Sequence, residues 1–189
     1  RALGLALVAA CSAPATLADL RVAEQLERDG DVDGALAAYR VAQQRCQQVT
    51  PARVRRATCA QAALGEAELL AHDGRSDDAR ARYLLIADDR AADDPATAAN
   101  ALYHAGELAR RADDGVAAWQ AWWRCVTDFP DEPFAGDAVT ELLRDGRGRD
   151  AAALHATFAE LLTPLAQTEV ADNLLWAMAE LAEHELADP

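Results

Sequence analysis

Three stretches of this chain repeat one spacing, a small residue four positions before a large aromatic: Ala35 with Tyr39, Ala79 with Tyr83 and Ala118 with Trp122. A weaker fourth copy places Leu154 before Phe158. Successive aromatics lie roughly 40 residues apart, and a period of that length with helix-like sequence marks stacked helical units. Such a unit cannot bury its apolar face alone and must stack on neighbours, leaving an extended surface better suited to binding than to chemistry.

The third copy is the clearest. Its first helix contains Asn100-Ala-Leu-Tyr-His-Ala-Gly-Glu-Leu-Ala109. Its second begins at Val116-Ala-Ala-Trp-Gln-Ala-Trp-Trp, and the copy closes at Asp128-Phe-Pro130. Gly106 and Ala118 carry so little side chain that two helices can approach closely, and Trp122, one turn beyond Ala118, fills the gap between hairpins. The first copy has Ala23, Gly30, Ala35, Tyr39 and Ala42 at matching places, and the second has Ala67, Gly74, Ala79 and Tyr83. A half copy, Asn173-Leu-Leu-Trp-Ala-Met-Ala-Glu-Leu-Ala182, lies over residues 100–109 without a gap.

The boundaries have mechanisms. Thr50-Pro51, Asp94-Pro95, Glu132-Pro133 and Thr163-Pro164 each precede a periodic apolar run, and Pro is favoured at a first helical position, where its missing N–H costs nothing. Gly30, Gly74 and Gly115 fall in the turns inside hairpins, where positive φ is often needed. Ser76, or the pair Asp113 and Asp114, is placed to cap a second helix. These signals predict helices over about 16–29, 32–47, 52–73, 77–90, 96–112, 116–128, 134–145, 149–162 and 165–186, with no strand-like alternation.

The pattern of Gly106, Ala118, Trp122 and Pro130 resembles the tetratricopeptide repeat. The resemblance covers about residues 16–186 and implies an all-α fold, a right-handed α-solenoid of antiparallel hairpins with about four and a half repeats. The expected organisation is a leader over 1–15 and one repeat domain over 16–189. Asp128-Phe-Pro-Asp-Glu-Pro-Phe-Ala135 is also similar to the Pro-rich turn of envelope tetratricopeptide proteins of the outer-membrane β-barrel assembly lipoprotein type.

The leader has Arg1, an apolar run over residues 2–10, and Cys11. It has the form of a signal-peptide core, too short to span a bilayer. Val8-Ala9-Ala10-Cys11 resembles a lipobox, which implies lipidation of Cys11. Ser12 after it implies, by the same resemblance, release to the outer membrane of a Gram-negative envelope. The plainer alternative is cleavage after Ala13-Pro14-Ala15, giving a soluble periplasmic protein.

Composition removes several functions. The formal net charge of −14 disfavours nucleic acid and attraction to an anionic leaflet. All 18 basic residues are Arg, which excludes a P-loop or a Schiff-base lysine on this chain. Only Ser12 and Ser76 are serines, which leaves little for serine hydrolysis. His72, His104, His155 and His184 are scattered, with no metal-ligand spacing. The expectation is a non-enzyme without cofactor or metal.

Three candidate features remain. Glu24, Glu68, Glu107 and Glu180 share one repeat position, beside a column of Leu20, Leu64, Tyr103 and Trp176. In tetratricopeptide proteins that helix lines the concave groove, so the resemblance implies an acidic ladder for a basic and apolar peptide. Otherwise Glu recurs there as a good helix former. Trp119 and Trp123 form an i, i+4 pair, either packed against the fourth copy or exposed as an anchor for a partner. Cys46 and Cys59 flank the connection holding Pro51 and are either a disulfide staple or two small buried residues. Cys125 takes a small-residue place and is expected to be buried and inert.

The expected partner is an envelope protein or peptide in the groove, with the membrane reached only through the N-terminal lipid. The rival expectation is a helical segment of a larger envelope enzyme, one acting on peptidoglycan for instance. It draws on Leu174, Leu175, Trp176 and Met178, whose helix has no second helix after it.

Overall fold

The computed structural model describes residues 15–146 and 150–184. Cys11 and the rest of the expected leader up to residue 14 lie outside the described residues. Among those described, the chain is all-helical, with nine helices and no strand: α1 (Ala15–Arg28), α2 (Val32–Cys46), α3 (Ala52–His72), α4 (Ser76–Arg90), α5 (Pro95–Arg111), α6 (Gly115–Asp128), α7 (Pro133–Gly146), α8 (Ala151–Leu165) and α9 (Ala171–His184). The chain groups into two compact units, Arg1–Glu66 and Ala67–Pro189.

In the first unit α1 packs on α2. Gly30 makes the turn at φ 79°, and the Asp31 carboxylate accepts from the Gly34 N–H at 3.0 Å, capping α2. Ala23 and Ala35 are fully buried, and Tyr39 one turn beyond Ala35 is buried with them. The Tyr39 ring lies against Gly65 of α3 so closely that a Cβ there would overlap it, and its hydroxyl donates to Glu27 at 3.0 Å. Cys46 and Cys59 are joined by a disulfide across the α2–α3 connection, with Cα atoms 5.3 Å apart. Glu66, buried on α3, accepts from Arg40 at 2.7 Å and from Gln43 at 2.8 Å.

In the second unit α5 packs against α4, α6 and α7, and α7 against α6, α8 and α9. Trp122 is fully buried. Its indole occupies the space a Cβ of Gly106 would need, and its N–H donates to the Tyr103 carbonyl at 3.2 Å. The fourth copy inverts this pairing. Leu154 replaces the small residue, and the space for it comes from Gly146 on the facing helix, while Phe158 remains fully buried. Cys125 is buried and free, and burial pushes its thiol pKa up to about 12.

The structure corrects several expected boundaries. Pro164 does not open α9 but sits in the last turn of α8. Pro164 and Glu160 are both exposed, so water can satisfy the carbonyl that a proline cannot bond. Helix α9 instead starts after Val170, whose side chain is buried and whose N–H donates to the Pro130 carbonyl at 3.0 Å. Ser76 is the first residue of α4, and Arg75 holds the cap position without a side-chain bond. In the third hairpin the positive φ belongs to Asp113, at 61°. Gly115 is already helical, because Asp114 claims the cap by accepting from the Ala117 N–H at 3.1 Å.

Candidate functional site

A concavity lined by carboxylates, aromatic rings and basic side chains lies in the second unit. It is a cavity of about 390 Å³ between the end of α3, its hairpin partner α4, and α5, the first helix of the next hairpin. Helix α3 contributes Glu68, Ala71 and His72; α4 contributes Tyr83; α5 contributes His104, Glu107, Leu108 and Arg111. The placement follows from helical periodicity. His104, Glu107 and Arg111 fall three and four residues apart and share one face of α5. Tyr83 reaches the cavity because Ala79, one turn earlier, is fully buried and lets the helix approach.

Aromatic rings and carboxylates alternate around this space. The Tyr83 and His104 rings lie 5.6 Å apart between centroids with a 32° tilt. His104 also meets Tyr103 at 5.3 Å and Phe134 at 5.9 Å. A Glu107 oxygen lies 3.1 Å from His104 Nδ1 and its other oxygen 3.7 Å from Arg111. Burial pushes the Tyr83 phenol well above its ordinary range, and the carboxylates of Glu68 and Glu107 push it further, against a smaller opposing pull from Arg111. Burial likewise raises Tyr103, followed by Glu107, Glu141 and Asp137. Two carboxylates therefore act on one phenol, and the region favours positive charge.

The residues singled out by repeat position are distributed over several surfaces. Glu68 and Glu107 line the same cavity, and Tyr103 joins its rim through His104. Glu24 belongs to the first unit, where Gln61 donates to it at 3.0 Å. Glu180 pairs with His184 at 3.8 Å along α9. Trp119 and Trp123 stack at 6.3 Å with a 17° tilt and line a more open groove of about 500 Å³ with Gln120, Arg124 and Thr157. Both are half-buried. Trp176 is 47% exposed, beside Thr140, Leu143 and Arg144.

Other participants carry no shared repeat signal. His104, Arg111 and Ala71 had none, and Tyr83 stood out only as a packing aromatic. Phe134 and the buried Glu66 and Glu141 also stay hidden in the pattern. Among the described residues no three His, Cys, Asp or Glu side chains form a group that could hold a metal ion, and no helix is long and apolar enough to cross a membrane. The arrangement offers hydrogen-bond acceptors, ring faces and negative charge, the chemistry of cation recognition. Compared with protein-family models the chain matches none, and compared with curated proteins it matches none.

Proposed function

We propose that this chain is a non-enzymatic adaptor of the tetratricopeptide-like type, built as a right-handed array of hairpins. In this proposal it is held by its lipidated Cys11 at the periplasmic side of the outer membrane, where it captures a polypeptide partner. The observation that carries the proposal is the recurrence of one packing contact. The aromatic of a second helix meets the same position of the next hairpin's first helix: Tyr39 against Gly65 in the first unit, and Tyr83 against His104 in the second. The serial packing of α5 on α7 and α7 on α9 supports the same arrangement, in which each first helix neighbours the next. The Cys46–Cys59 disulfide suits an oxidising compartment such as the periplasm. The half-buried Trp pair and the carboxylate-lined cavity are surfaces of the kind that partner proteins use.

The test is co-purification from native envelopes of the wild type and a variant with Glu24, Glu68, Glu107 and Glu180 all changed to Arg. The expected outcome is a partner captured by the wild type and lost from the variant, with circular dichroism unchanged. Equal capture by both would remove the acidic column from the interface. In the same preparations Cys11→Ala is expected to move the protein from membrane to soluble fractions. Retention in the membrane would end the lipid-anchor proposal.

A further inference from the structure

Copies of a repeat are informative where they differ. In the first hairpin Tyr39 gives its hydroxyl to Glu27, twelve residues earlier, at 3.0 Å. The residue twelve before Tyr83 is Ala71. Tyr83 is 97% removed from solvent, its exposure being 3%. Its hydroxyl makes no hydrogen bond among the described residues, and its ring borders the cavity that Ala71 leaves open. That hydroxyl is left free to take a partner from outside the chain, beside a void of about 390 Å³, inside the range of roughly 300–1,000 Å³ typical of ligand sites.

We infer that this cavity receives the guanidinium of an arginine side chain presented by the partner polypeptide. The inference rests on the adaptor proposal above and names the chemistry of its recognition. Charge selects a cation. Glu68 and Glu107 border the void, and Arg111, the basic side chain that reaches Glu107, lies 3.7 Å away with 64% of its side chain in solvent. That contact is long and exposed, so it is weak and readily exchanged. Shape selects a plane. The Tyr83 and His104 rings wall the cavity at 5.6 Å from one another, and a flat, delocalised guanidinium stacks on such rings while its N–H groups reach carboxylates on either side. The Tyr83 hydroxyl then gains the partner it lacks. A lysine ammonium would meet the charge but not the plane, and an acidic side chain would be repelled by both glutamates.

The intact chain would be titrated with N-acetyl-arginine amide, N-acetyl-lysine amide and N-acetyl-citrulline amide while the ring signals of Tyr83 and His104 are followed by NMR. The arginine probe is expected to shift both rings saturably, with the lysine probe weaker and the uncharged citrulline probe without effect. Glu68→Gln and Glu107→Gln are each expected to weaken the arginine probe by about tenfold, the loss of one hydrogen bond to a charged group. Ala71→Glu restores the carboxylate of the first hairpin and is expected to abolish binding in a folded protein. Equal shifts with citrulline, indifference to both Gln variants, or silence of the arginine probe would each overturn the inference. If the arginine probe is silent while the four-glutamate variant still loses its envelope partner, the adaptor proposal survives and the arginine assignment falls. If the probe binds but wild type captures no partner, the pocket chemistry is supported and the adaptor proposal falls.

Discussion

Two glycines illustrate opposite reasons for the same residue. Gly30 has open space around its missing Cβ but a φ of 79°, so a side chain there would meet backbone strain. Gly106 lies within α5, and a Cβ there would overlap the buried indole of Trp122. Gly106→Ala is therefore expected to destabilise the protein by about 1–3 kcal/mol, because a fully buried ring has nowhere to retreat. Thermal unfolding would check it, and an unchanged Tm would show that α5 and α6 can separate at no cost. The site at this scale was only half legible. Glu68 and Glu107 emerge from the self-alignment because they repeat. The cavity itself exists because Ala71 does not repeat Glu27, and His104 does not repeat Gly65. A search for shared positions passes over such differences.

Helix ends carry most of what the sequence misplaced. The connections were legible where glycine or proline leaves one conformation available, as at the Gly74 hairpin turn and at Asp94-Pro95 between hairpins. In the third hairpin the cap was legible at Asp114, but the positive φ was misplaced, since Asp113 takes it and Gly115 is helical. The α8–α9 connection was misread because its stop is tertiary. Val170 and Glu169 bond to Pro130 and Asp131, nearly forty residues away, and no local signal marks that. Asp114 gives this scale its pH dependence. The Ala117 N–H and then the Arg80 guanidinium hold its carboxyl below the ordinary value. A lowered folded-state pKa contributes stability that is complete above the unfolded value and lost as pH falls through the folded one. Unfolding followed from about pH 5 downward should thus show a shallower loss of Tm in Asp114→Asn than in wild type. Parallel curves would remove Asp114 from the acid response.

For the molecule as a whole, the sequence made the fold class legible, since periodic Ala and Leu without strand alternation leave only helices to build from. The Cys46–Cys59 cross-link acts at this scale through the unfolded chain, whose freedom it restricts. Closing a loop of thirteen residues should stabilise by about 3 kcal/mol on the chain-entropy account. A Cys46→Ser, Cys59→Ser double variant should fall by up to that amount in denaturant unfolding, and no difference would make the bridge dispensable. The same bridge spans exposed Arg53 and Arg56, so a trypsin-like protease nicking between the two cysteines would leave both fragments covalently joined. On a non-reducing gel such a cut chain would still run as one molecule, and only a reductant would reveal that it had been severed.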